Sequence, residues 1–203
     1  HAVVLDGLDL AKEVTTAQSY VVDEKLWQWP AGVPELKKPK FTVVVMDYGV
    51  KRNILRALGE IGARTIVLPA TATAEEALAH NPDGILLSNG PGDPAATGVY
   101  AAPEIKKLVA SGKPVMGVCL GHQMLGLALG AKTHKMAQGH HGANHPVKDQ
   151  STGKVEIVSM NHGFAIDTKT LPKGVKETHV SLFDGSNCGI ELEGKTLGII
   201  GMG

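Results

Sequence analysis

The sequence is poor in the features that assign a protein quickly. Two cysteines in 203 residues make no disulfide framework, so a reducing, cytoplasmic setting is expected. Twenty Lys+Arg against 20 Asp+Glu give a formal net charge of zero, which leaves no electrostatic reason to seek nucleic acid or an anionic membrane. No apolar run reaches the roughly 18 residues that cross a bilayer, and no secretory signal opens the chain. Internal repeats and low-complexity tracts are missing too. What is left is a globular class: hydrophobic residues make up 43% of the chain, and a chain of this size buries about 70% of its unfolded surface.

Residues 1–40 are mixed in character. They hold both tryptophans, Trp27 and Trp29, and end in Pro30-Ala31-Gly32-Val33-Pro34 followed by Lys37-Lys38-Pro39-Lys40. Proline, glycine and like charges close together read as a linker. Residues 1–40 are therefore expected to be the tail of an upstream domain plus a linker, with the main domain at 41–203.

From residue 41 the pattern becomes regular. β-Branched apolar runs at 41–46, 65–68, 84–87 and 114–118 alternate with helical periodicities at 53–61, 74–80, 105–110 and 123–129. Four strands alternating with four helices predict an α/β fold, an open and mostly parallel sheet with helices on both faces. Residues 89–98 read as a Gly/Pro loop. After Gly130, short runs at 155–160, 164–166, 178–182 and 196–200 suggest extra antiparallel strands at one edge.

The richest segment is Gly117-Val118-Cys119-Leu120-Gly121, a G-x-C-x-G between a buried strand and a helix. This is a nucleophile elbow with sulfur in place of a serine oxygen. A sharp strand-to-helix turn strains the central backbone, and flanking glycines remove side chains that would clash. The sulfur then projects from the carboxyl end of the sheet, where open α/β folds bind ligands. The helix N-terminus is expected to lower the thiol pKa and to hold an oxyanion. A buried core cysteine is the plain alternative; Cys188, without such a context, is taken as structural.

Two further segments are candidates. Gly90 and Gly92 in Ser88-Asn89-Gly90-Pro91-Gly92-Asp93-Pro94 can offer backbone N–H groups on the rim that carries Cys119, although without a third glycine they make a poor dinucleotide fingerprint. Asn161 and the backbone near Gly163 can grip an amino acid's polar ends with Phe164 as an apolar wall; in isolation the segment reads as a β-turn. His134, His140, His141, His145 and His162 invite a metal, but their spacing fits no standard zinc pattern, and 139–144 reads as a Gly-rich polar loop. No metal is expected. His122, three residues after Cys119, is expected to turn into the structure.

Cys119-Leu120-Gly121-His122-Gln123, Asn89-Gly90-Pro91-Gly92-Asp93, the Gly-His-His-Gly-Ala-Asn-His-Pro run at 139–146 and Asn161-His162-Gly163-Phe164 together resemble the class I glutamine amidotransferases. More narrowly they resemble the small, glutaminase subunits of carbamoyl phosphate synthetases, as do residues 10–16 and 181–185. The resemblance implies that Cys119 attacks the side-chain carboxamide of L-glutamine to give a γ-glutamyl thioester and ammonia. It places the N–H groups of Leu120 and Gly90 at the oxyanion, and Gln123, Gly92, Asn161, Gly163 and Phe164 at the substrate. It implies no cofactor in this chain. The partner it implies is a large synthetase subunit, which would use ATP and bicarbonate to make carbamoyl phosphate for pyrimidine and arginine synthesis.

The same resemblance implies a histidine base with a supporting glutamate, in a His-Pro-Glu motif after a late strand. Residues 196–200 are followed by Gly201-Met202-Gly203, so the motif is expected next to Gly203 and the chain is read as a fragment, cut at both ends. Losing a general base slows acylation by about 10²–10⁴-fold, so these residues alone are expected to be a poor glutaminase. The rival classes are a non-catalytic subunit that only binds its partner, and another cysteine hydrolase, such as a γ-glutamyl peptidase.

Overall fold

The computed structural model describes residues 5–194; the strand expected at 196–200 lies outside them. A short helix α1 (Ala11–Val14) and strand β1 (Tyr20–Val22) come first. The alternation that follows is β2 (Phe41–Asp47), α2 (Arg52–Glu60), β3 (Ala63–Pro69), α3 (Ala74–Ala79), β4 (Gly84–Leu87), α4 (Pro94–Ala110), β5 (Val115–Gly117) and α5 (Leu120–Leu129). The sheet order is β1-β3-β2-β4-β5. β3, β2, β4 and β5 are parallel, and β1 lies antiparallel along β3.

Side chains alternate across these strands, so each run of β-branched residues feeds two cores. Val44, Met46, Ile85, Leu87 and Val115 pack with α3, α4 and α5. Val43, Val45, Val67 and Leu86 turn the other way, onto Leu55 of α2 and Val22 of β1. Helices therefore cover both faces, as the alternating pattern implied. The chain order reverses between β3 and β4, which flank β2, so the loops after β2 and β4 diverge and leave a crevice at their carboxyl ends.

Two helices are longer than their periodicity suggested. α4 begins at Pro94, inside the stretch read as a loop. Asp93 caps it, accepting the N–H of Ala95 at 2.8 Å, and Pro94 occupies the first turn. A proline there gives up an N–H that has no helical partner in any case. α5 begins at Leu120, directly after the nucleophile, and ends at Gly130 with φ +107°.

Residues 132–192 make a second sheet of antiparallel strands: β6 (Lys132–Asp149), β7 (Val155–Asp167), β8 (Val175–Ser181) and β9 (Asn187–Leu192), ordered β7-β6-β8-β9. It docks on the first layer through Ile166 and Ile190, which are buried in the same core as Met124 and Leu125 of α5. Two readings change here. Residues 139–144 are strand rather than loop, and Asn161–Phe164 lies within β7 rather than in a turn. Glycine, asparagine and histidine are weak strand formers. The pairing is imposed by the partner strand, with register shifts between Lys135 and His140 and between Gly142 and His145.

Residues 5–40 lie against this framework. Besides β1, Glu24 pairs with Arg52 and with Arg56 Nε at 3.0 Å on α2. No described helix is long and apolar enough to cross a membrane.

Close backbone packing holds α5 on β4. A Cβ on Gly121 would overlap the carbonyl of Leu87. In an open helix Gly→Ala gains about 1 kcal/mol. Here Gly121→Ala is expected to destabilise the fold by about 1–3 kcal/mol in chemical denaturation. A gain in stability would show that α5 does not approach β4 as described.

Candidate active site

β5 ends at Gly117, and Cys119 takes φ +52°, ψ −108° before α5 begins. Among the described residues, Asn81 is the other non-glycine with positive φ. This is the strained elbow expected from G-x-C-x-G, and its flanking glycines are required sterically. A Cβ on Gly117 would lie 2.6 Å from the Gly121 carbonyl carbon and the His122 nitrogen, and Gly121 abuts Leu87. The Gly121 N–H donates to Ser88 O at 3.1 Å, tying the elbow to the end of β4.

A cleft of about 370 Å³ opens over the sulfur. All eight residues proposed from sequence line it. Cys119, Leu120 and Gln123 come from the elbow, Gly90 and Gly92 from the loop after β4, and Asn161, Gly163 and Phe164 from β7. The loop after β4 sits low: a Cβ on Gly90 would overlap the Tyr48 carbonyl, and Gly92 has φ +99°. Their geometry accordingly excludes any other residue. Gln123 is buried and donates from Nε2 to Phe164 O at 2.7 Å, so its amide joins α5 to β7 beneath the cleft. The Cys119 thiol faces Asn161 O at 3.8 Å, and the Asn161 side-chain oxygen meets His141 Nδ1 at 2.7 Å.

Three lining residues lie outside the segments singled out from sequence, Leu5, Gly49 and Lys51, whereas Asn89, Pro91, His141 and His162 lie within them. Gly49 and Lys51 follow β2, so the switch point of the sheet was the signal for them. Leu5 gave no local signal.

The electrostatics correct one expectation. The Leu120 N–H at the helix start and the Lys51 charge both favour the thiolate, but burial outweighs them and pushes the Cys119 pKa up. The sulfur rests as a thiol. His122 is 3% exposed, and burial drives it down to about 3 with its Nε2 unpartnered; it does turn inward. His162 is lowered by burial as well, although the Phe164 carbonyl that pairs with its Nδ1 at 2.9 Å raises it. His140 and His145 are buried with ring centroids 4.9 Å apart, and His140 Nε2 meets Asp184 Oδ2 at 3.1 Å. Among the described residues, no group of three or more His, Cys, Asp or Glu is placed to hold a metal. Cys188 is buried against Val147 and Met160, its thiol pushed up to about 12.

The family described as "Glutamine amidotransferase class-I" matches residues 44–202. The chain belongs to that family. It is 72% identical over 191 residues to the carbamoyl phosphate synthase small chain of Caulobacter vibrioides, covering 94% of this chain and 49% of that one. The small chain of Bradyrhizobium diazoefficiens is 63% identical, with 94% and 48% covered. The chain thus spans about half the length of these relatives. Solved structures share the fold. A putative GMP synthase subunit from Thermoplasma acidophilum has TM-score 0.68 at 21% identity, covering 80% of this chain and 83% of that one. A glutamine amidotransferase from Thermotoga maritima has TM-score 0.64 at 17% identity, with 80% and 75% covered.

Two outcomes are expected from these environments. In a Cys188→Ser chain, alkylation of Cys119 by iodoacetamide should rise with pH and reach half its maximum above the midpoint of a short cysteine peptide. A lower midpoint would mean that the helix terminus prevails over burial. His122 carries no charge when folded but titrates near 6.5 when unfolded, so the unfolded state binds more protons below that pH. Stability is complete above about pH 6.5 and falls as pH drops towards about 3. His122→Leu should flatten this loss in urea unfolding at pH 7, 6 and 5; an unchanged slope would show that His122 is not sealed from water.

Proposed function

We propose that this chain is the thiol-bearing core of the glutamine-hydrolysing subunit of a carbamoyl phosphate synthase, with residues 41–203 as its amidotransferase domain. The observation that carries this reading is the strained Cys119 at the mouth of a cleft in which the three motif segments meet. The likeness to two carbamoyl phosphate synthase small chains, at 72% and 63% identity, narrows the class. L-Glutamine enters with its side-chain carboxamide over the sulfur. Cys119 Sγ attacks the carboxamide carbon, and the N–H groups of Leu120 and Gly90 hold the resulting oxyanion. Collapse with a proton delivered to nitrogen releases ammonia and leaves the γ-glutamyl thioester, which water then hydrolyses.

Gly92, Asn161, Gly163 and Phe164 hold the amino-acid end, and Gln123 fixes β7 against α5. No cofactor takes part in these steps. Ammonia passes to a large synthetase subunit that uses ATP and bicarbonate, in a reducing cytoplasm.

The attack needs a base, because burial holds the thiol protonated. His122 and His162 are poor candidates. Burial lowers His122 to about 3 and lowers His162 as well, which works against either taking the proton from the sulfur. The base is assigned to the histidine with a supporting glutamate that the family resemblance implies, a role His122 and His162 do not fill.

Ammonia release from glutamine tests this reading, with Cys119→Ser as control. The 203-residue chain should be slower than a full-length small chain by about 10²–10⁴-fold, and Cys119→Ser should give none. A rate equal to the full-length protein would place the base within these residues. Failure of a glutamine chloroketone to alkylate Cys119 would overturn the site.

A further inference from the structure

Residues 5–16 run across the carboxyl rim of the sheet, and their polar ties converge on two buried aspartates. Asp93 closes the loop that carries Gly90 and Gly92. Its Oδ1 caps α4 through the Ala95 N–H, and its Oδ2 accepts the Gly7 N–H, each at 2.8 Å. The Asp93 N–H donates back to Leu8 O at 2.9 Å. Asp47 ends β2 with the same division of labour. Its Oδ1 accepts the N–H groups of Gly49 and Val50 at 2.9 and 2.8 Å, and its Oδ2 accepts the Thr16 N–H at 2.8 Å. Asp47 and Asp93 are 4% and 6% exposed. Asp47 therefore uses one oxygen on its own cleft loop and Asp93 one on the first turn of α4, where its loop ends, and each gives the other oxygen to the crossing segment.

The contact is close as well as polar. A Cβ on Gly92 would lie 2.7 Å from Leu8 O and 3.0 Å from Leu10 N, so the loop backbone rests directly on the segment. Leu5, at the segment's start, lines the cleft. Away from the cleft the segment has its own anchors. Ala11 is fully buried, Asp9 Oδ1 accepts the hydroxyls of Thr97 and Tyr100 at 2.9 and 3.3 Å, and Thr15 Oγ1 accepts the Ala70 N–H at 2.9 Å.

We propose that residues 5–16 are a strap that sets the substrate-binding loops after β2 and β4, with Asp47 and Asp93 as positioning residues acting through Gly49 and Gly92. Among the described residues the loop after β4 has no strand pairing beyond Ser88; Asn89 ties its start to the Gly49 carbonyl and the Lys51 N–H, and Asp93 fixes its far end. Without the strap, a buried carboxylate oxygen loses its donor and Gly92 loses the surface it rests on. The Gly92 end of the loop, which helps hold the amino-acid end of the substrate, then loosens, while Gly90 stays seated on the Tyr48 carbonyl. The inference rests on reading the cleft as a glutamine site.

Asp9 is the place to test it, because its carboxylate anchors the strap to α4 without lining the cleft. The full chain is treated with a glutamine chloroketone, which must occupy the site before it alkylates Cys119, and separately with iodoacetamide, which need not. Amide hydrogen exchange is followed over residues 89–95. Asp9→Ala and Asp93→Asn should each raise the half-saturating chloroketone concentration about tenfold, the share of a charged hydrogen bond felt at the loop. The limiting alkylation rate and the iodoacetamide rate should hold, and exchange over 89–92 should quicken. Asp9→Asn, which keeps the side chain's size, should fall between wild type and Asp9→Ala. It also serves if Asp93→Asn fails to fold.

Unchanged half-saturation and exchange in Asp9→Ala would overturn the strap. A fall in limiting and iodoacetamide rates together, at constant half-saturation, would also overturn it, since that marks damage to the elbow. If the wild-type chain shows no saturable labelling, the glutamine reading fails instead. Exchange over 89–92 then decides the strap alone: quicker in Asp9→Ala supports it, and unchanged refutes it.

Discussion

Three backbone turns at the carboxyl rim approach one another more closely than any side chain allows. Gly90 lies on the carbonyl of Tyr48, Gly121 on that of Leu87, and Gly117 on the first turn of α5. The loops after β2, β4 and β5 are therefore locked to each other main chain to main chain, with no flexible groups between them. The twisted turn at Cys119 follows from this. The strand and the helix it joins are already fixed, so the residue between them takes the φ and ψ that remain. Its strain is carried by the surrounding packing rather than by any feature of cysteine. A rim of peptide groups in such contact also presents N–H donors at fixed positions, which is what stabilisation of a developing charge requires.

The sulfur's environment sets two effects against each other. A helix N-terminus and a lysine both attract negative charge, yet loss of solvent around the sulfur weighs more, and burial prevails. The order matters for chemistry. A site that made its own thiolate would need no base for the first step. One that keeps a thiol needs a proton acceptor, and burial lowers the basicity of both His122 and His162. His140 and His145 of the second sheet are instead packed together in its interior, and His140 meets Asp184. That arrangement supports the short ladder segment opposite Asn161, where β6 has irregular register on both sides.

The parallel sheet was legible because β-branched runs broken by Gly and Pro have few other ways to bury both faces. The start of α4 was not, since Pro94 and Gly98 punctuate a sequence just as they would in a loop, and their acceptability depends on the cap at Asp93. The second sheet was half legible. Runs such as 155–160 show as strands, but 139–144 becomes strand through its partner alone. All eight proposed cleft residues were readable because each sits in a motif segment that the resemblance already singled out. Leu5 and the contacts of the strap were not readable. The Gly7–Asp93 bond joins residues 86 apart, and no local pattern records a contact of that range.

A sulfur that rests protonated has a consequence beyond turnover. Peroxide and other oxidants act on the thiolate, and the path from sulfenic to irreversible sulfonic acid starts there. Burial that raises the Cys119 pKa thus slows the first step on that path for a sulfur that the cleft leaves within reach of small molecules.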